Sequence, residues 1–134
     1  MSVMRETPDQ RRAKYAWEKV KTHCESRNDF DQYANLAKGA PALIMSNGLM
    51  QALAYIYSRK EAEKKALAED LCMWLFKAMK MKSEKFIDVM EALQKMSVPD
   101  YMRATDETLQ VLRWLRQFVA VFKSDKSLSG GGIS

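Results

Sequence analysis

Only His23, Cys24 and Cys72 offer imidazole or thiolate chemistry in this 134-residue chain, which has one histidine and two cysteines. A Cys/His or Ser/His/Asp mechanism would have to use His23. Its neighbour Cys24 lies about 100° away on a helix, so the two do not face one reacting atom. The three residues are also too few, and wrongly spaced, for a zinc site. Asp29 and Asp31 are close enough in sequence to suggest a metal-dependent nuclease, but they stand where a helix starts, and acids there complement the helix dipole. The glycine cluster Gly130 to Gly132 precedes no helix and cannot be a phosphate loop. The sequence therefore predicts no catalytic residue, no metal, no cofactor and no small-molecule substrate.

Charge is more informative. The formal net charge is +5, which favours anionic partners. No acid occurs between Glu107 and Asp125, and Arg113, Arg116, Gln117 and Lys123 fall on one side of the helix read there. Near the start, Arg11, Arg12, Lys14, Lys19 and Lys21 are offset only by Asp9 and Glu18. Arg59, Lys60, Lys64 and Lys65 sit beside Glu61 and Glu63 and read as a solvated, salt-paired surface. The candidate nucleic-acid-binding residues are Arg12, Lys14, Lys19, Lys21, Arg113, Arg116 and Lys123. Charge alone leaves plain solubility open as the alternative. Aromatic residues interleave little with these positions, so backbone contact is expected in preference to base stacking.

The elements that must carry these residues are helices. Thr7-Pro8-Asp9-Gln10 combines a capping hydroxyl, a first-turn proline and a glutamine three residues after the cap. Ala13, Ala16, Trp17, Val20 and Cys24 continue at helical spacing until "SRND". Asp29 with Gln32 opens a second helix through Phe30, Tyr33, Ala34, Leu36 and Ala37, with a kink expected at Pro41. Ser46-Asn47-Gly48 reads as a turn in which glycine supplies a positive φ and Ser46 or Asn47 caps the next helix. Leu49, Ala52, Leu53, Ile56 and Tyr57 form one face of that helix, while Met50, Ala54 and Tyr55 make its other side apolar too, predicting a central, surrounded element. Glu61 to Lys82 comes next, with Ser83 as cap for the helix of Phe86, Val89, Met90 and Leu93. Pro99 punctuates, Thr105 caps, and Leu109 to Phe122 supplies the last helix. The reading is all-α, one compact bundle of about six helices.

Residues 1–123 are expected to form one domain and 124–134 a flexible Ser/Gly-rich tail. No hydrophobic signal region opens the chain and no run is long enough to span a membrane, so cytoplasmic residence with reduced, packed cysteines is expected. The ten methionines fall mostly within the helical apolar pattern, and the apolar excess of the middle helices leaves room for a patch facing a neighbouring subunit.

The stretches "RRAKYAWEKV", "APALIMSNGLMQALAYIYSR", the isolated Trp74 and "YMRATDETLQVLRWLRQFVAVF" resemble, in order and over nearly the whole chain, the small helical subunit of type III-B CRISPR effectors, the fifth Cmr (RAMP module) protein. Asn47-Gly48-Leu49 and Trp114-Leu115 are the most specific parts. The resemblance implies a non-catalytic ribonucleoprotein component. Copies of it stack along a filament beside the backbone subunit that holds guide RNA, with basic faces along the target RNA, in antiviral defence. The competing reading is a helical adaptor that binds another protein through an apolar face, its basic charge incidental.

Overall fold

The computed structural model describes residues 5–26, 30–58 and 62–125. The described residues form six α-helices and no strand: α1 (Pro8–Ser26), α2 (Phe30–Asn47), α3 (Leu49–Tyr57), α4 (Ala62–Ala78), α5 (Phe86–Lys95) and α6 (Val98–Ser124). The all-α expectation holds. None of these helices is long and apolar enough to cross a membrane.

Local chemistry sets the starts. The Thr7 N–H donates to Gln10 Oε1 at 2.8 Å while the Gln10 N–H donates to Thr7 Oγ1 at 3.0 Å, so the capping box of α1 forms as expected. The cap assigned to Asp29 lies outside the described residues. α2 runs through Pro41 as one helix.

Gly48 has φ 88° and ψ 162° and closes the turn, its N–H donating to the Ile44 carbonyl at 2.8 Å. Neither Ser46 nor Asn47 caps α3, contrary to the expectation: Gly48 is itself the N-cap residue and offers no side chain. One of the bare amides is met from elsewhere, as the Met50 N–H donates to the Tyr101 hydroxyl of α6 at 3.1 Å.

Three further boundaries differ from the sequence reading. α4 stops at Ala78, because Lys80 takes a left-handed conformation (φ 53°) and the Met81 N–H folds back to the Phe76 carbonyl at 3.0 Å. Ser83 does not cap α5; its hydroxyl accepts from the Lys85 N–H at 3.1 Å in the preceding turn. The last helix begins well before Thr105. Ser97 is its cap, accepting from the Asp100 N–H at 3.3 Å, and Pro99 sits in the first turn, where its missing N–H costs nothing. Thr105 is interior, its hydroxyl returned to the Tyr101 carbonyl at 3.0 Å.

At 27 residues α6 is about 40 Å long. α1 and α2 both pack against it, while α4 packs on α2, α3 and α6 and carries α5, which has no other large contact among the described helices. Val111, Leu112, Leu115, Val119 and Phe122 of α6 meet Ala16 and Val20 of α1, Tyr33 and Ala34 of α2, and Leu67, Leu71 and Leu75 of α4 in one buried cluster. Each such large side chain contributes about 1.5–3 kcal/mol by leaving water. α3 is not surrounded as expected: Leu49, Ala52, Leu53 and Ile56 are buried, but Gln51 and Tyr55 face solvent.

Candidate nucleic-acid interface

Burial of Leu112, Leu115 and Val119 sets the rotation of α6, and the same rotation turns Arg113, Arg116 and Gln117 outward. α2 lies antiparallel alongside, since its start reaches the end of α6 through Lys123 Nζ and Asp31 Oδ1 at 3.2 Å. That register places Lys38 of α2 opposite the two arginines. Lys38, Arg113, Arg116 and Gln117 together line a shallow surface groove of about 300 Å³. All four are exposed, and no carboxylate forms an ion pair with Lys38, Arg113 or Arg116 among the described residues. Asp9 feels the Arg113 charge only weakly; its carboxyl is held below the ordinary range first by the Trp114 indole N–H, at 3.0 Å, and then by Arg12.

The other candidates are distributed differently. Arg12 is mostly enclosed, its guanidinium forming a two-point contact with Glu107 (Nε to Oε1 3.0 Å, Nη2 to Oε2 2.8 Å) and reaching Asp9 at 3.2 Å. The Trp74 indole donates to the same Glu107 carboxylate at 3.1 Å. Hydrogen bonds from Arg12 hold the Glu107 pKa below the usual carboxylate value, while Glu107 raises that of Arg12. Glu107 thus joins α1, α4 and α6. Lys19 is half-buried, with Nζ 3.7 Å from Asp70 and 5.4 Å above the centre of the Tyr15 ring. Lys14 is exposed, 3.9 Å from Glu6, and Lys21 is exposed with no ion pair among the described residues. The structure therefore brings Arg113 and Arg116 together, adds Lys38, and sets Arg12, Lys19 and Lys123 against carboxylates. No sequence signal marked Lys38, because it comes from a helix more than 70 residues earlier in the chain.

His23 is accounted for by packing. Its Nε2 lies 2.7 Å from Asp70 Oδ2, an oxygen that also accepts from the Tyr33 hydroxyl at 2.7 Å, and its ring lies 4.2 Å from that of Tyr33. The Tyr15 hydroxyl donates to the Asp70 carbonyl. Cys24 and Cys72 are free thiols; burial raises both pKa values, that of Cys72 to about 12, so neither is a ready nucleophile at neutral pH. Among the described residues no group of three or more His, Cys, Asp or Glu is arranged to hold a metal ion.

Comparison with known proteins is consistent along the chain. Residues 8–122 match the family model described as CRISPR-associated protein (Cas_Cmr5). A CRISPR system Cmr subunit Cmr5 from Thermus thermophilus is 30% identical over 106 residues, 79% of this chain and 87% of that protein. The crystal structure of a CRISPR-associated Cmr5 family protein from Thermus thermophilus superposes with a TM-score of 0.74 at 28% identity, covering 87% of this chain and 97% of the other. The match runs from the first residue of α1 to Phe122, near the end of α6, and on that evidence the chain belongs to the Cmr5 family of CRISPR-associated proteins.

Proposed function

We propose that this protein is the non-catalytic small subunit of a type III-B CRISPR effector, and that its α2/α6 groove holds phosphates of the target RNA. Membership of the Cmr5 family supports the subunit assignment. The observation that carries the RNA role is the convergence of Lys38, Arg113 and Arg116 without a paired carboxylate among the described residues. Such cations are available to phosphate at no cost in broken ion pairs. Copies of the chain stack beside the backbone subunit and guide RNA, each adding one basic groove to the strand's path. Lys21 and Lys14, exposed on α1, extend the positive field, whereas Arg12 and Lys19 hold helices together.

Binding of single-stranded RNA to the isolated protein should be weak, indifferent to sequence and steep in salt, with log K falling by about 0.7 per phosphate contact per decade of salt. Arg113→Ala/Arg116→Ala removes two contacts and should flatten the slope by about 1.4. Both side chains are exposed, so the melting temperature should not change. In the assembled complex the same variant should lose target capture and keep its subunits. An unchanged salt slope would show that the groove is not the RNA surface.

A further inference from the structure

α1 and α4 meet in a second surface that shares no residue with the α2/α6 groove. The two helices run antiparallel, for Tyr15 meets Trp74 (ring centres 5.1 Å apart) while Lys19 and His23, later in α1, meet Asp70, earlier in α4. Where Tyr15 and Trp74 touch, a cleft of about 660 Å³ opens between the first half of α1 and the end of α4. Pro8, Tyr15, Trp74 and Ala78 supply its apolar lining, and four exposed cations stand around it: Arg11 and Lys14 on α1, Lys77 in the last turn of α4, and Lys80 just beyond.

Little opposes these cations. Arg11 donates to the Glu6 carbonyl at 3.0 Å, which leaves its charge uncancelled, and Lys77 Nζ lies 5.6 Å from the centre of the Tyr15 ring. Of the four, only Lys14 forms an ion pair among the described residues, at 3.9 Å to Glu6. Glu107 is taken by Arg12 and Trp74, and Glu18 is the remaining acid of the lining.

Lys80 is an independent sign. It follows α4 in the left-handed conformation, with φ 53°, while the Met81 N–H closes onto the Phe76 carbonyl at 3.0 Å. Glycine takes such a position without strain, so folding alone favours glycine there. A lysine held there at a cost in backbone strain brings a further ammonium to the cleft, and residues in strained conformations cluster at functional sites.

We propose that the α1/α4 cleft docks an acidic segment of a partner protein other than this chain, its carboxylates meeting Arg11, Lys14, Lys77 and Lys80 around an apolar anchor. This docking presupposes that the chain is an effector subunit, and adds which face meets protein and by what chemistry. A polypeptide suits the cleft better than RNA does. Tyr15 is 7% and Trp74 6% exposed, so neither offers a ring face on which a base can stack. Glu18 on the α1 wall repels a strand that carries charge at every phosphate, whereas a peptide sets its acids opposite the cations and turns a donor toward Glu18. Aromatic and apolar lining inside a charged rim is also the make-up of a protein interface.

Zero-length carbodiimide cross-linking of the assembled effector tests this directly, because it joins a lysine amine only to a carboxylate already in contact with it. Peptide mass spectrometry should find Lys14, Lys77 or Lys80 linked to an Asp or Glu of another protein. Lys77→Glu/Lys80→Glu should then weaken retention of that partner by about tenfold or more, since like charges face each other, and changing the linked acids to lysine should restore it. Lys80→Gly relieves the backbone, so it should melt no lower than the wild type yet hold the partner about threefold or more weakly. Links to a second copy of this chain, links from these lysines to RNA alone under ultraviolet light, or no link at all would each overturn the proposal, as would full retention of the partner by both variants. A chain that enters the effector with no carboxylate linked at the cleft overturns the docking and spares the subunit assignment; a chain that never enters it overturns both.

Discussion

Glu107 shows how far a single carboxylate reaches in this molecule. It accepts both arms of Arg12 and the Trp74 indole, and Arg12 reaches on to Asp9, which accepts from Trp114. Replacing it by glutamine leaves a mostly enclosed guanidinium without its counter-charge, and should cost about 2 kcal/mol at neutral pH. The loss is linked to protons. Because the folded pKa of Glu107 lies below its ordinary value, the ion pair stabilises fully above that value and fades as pH falls through the depressed one. Thermal melts of the wild type and Glu107→Gln should thus differ most near neutral pH and converge in acid, as the pH falls through the lowered pKa. A gap that stays constant over this range would mean that the carboxylate's charge contributes nothing. Arg12 looked like an RNA contact in the sequence because its partner is 95 positions away, and local charge patterning cannot reveal a pair of that span.

At the scale of the element, backbone conformation decides what a glycine is worth. Gly48 sits in a region of φ and ψ that is nearly closed to other residues, yet a Cβ there would meet no atom within 4 Å. The strain alone sets the effect, and Gly48→Ala should destabilise by about 1–3 kcal/mol. Gly39 is the control. It lies within α2 with equally open space around a Cβ, so Gly39→Ala should stabilise by about 0.5–1 kcal/mol. Urea midpoints that moved in the same direction for both would refute the assignment of the turn. Legibility in the sequence divides along the same line. The Thr7–Gln10 box, the Gly48 turn and the buried stripes of α4 and α5 are written within a few neighbouring residues. The start of α6 was misplaced because Thr105 followed by two acids imitates a cap, while Pro99 imitates a break although it occupies the first turn. The stop of α4 rests on a lysine in a left-handed conformation, which composition does not announce. The basic groove was half legible: Arg113 and Arg116 share one helix, but Lys38 joins them only through the packing of α2 on α6.

For the whole molecule, Asp70 links three helices that are distant in sequence. From α4 its carboxylate meets His23 and Lys19 of α1 and the Tyr33 hydroxyl of α2, and its carbonyl accepts from Tyr15. The carboxylate and its two closest partners are buried, so their polar atoms depend on one another for hydrogen bonds that water does not supply. Asp70→Ala would remove the carboxylate that the Tyr33 hydroxyl and the His23 ring both meet, at a cost of about 3 kcal/mol or more. A domain of this size has about 5–15 kcal/mol in all. Asp70→Asn keeps an acceptor for Tyr33 and should cost less. The two variants therefore separate hydrogen bonding from charge. Urea unfolding followed by tryptophan fluorescence should show the midpoint falling in the order wild type, Asp70→Asn, Asp70→Ala, with the slope unchanged if the bundle still unfolds as one unit. Amide exchange should then speed up along α1, α2 and α4 alike. Acceleration confined to α4 would mean that the cluster fills space without coupling the helices, and that the apolar core alone holds α1 and α2 in place.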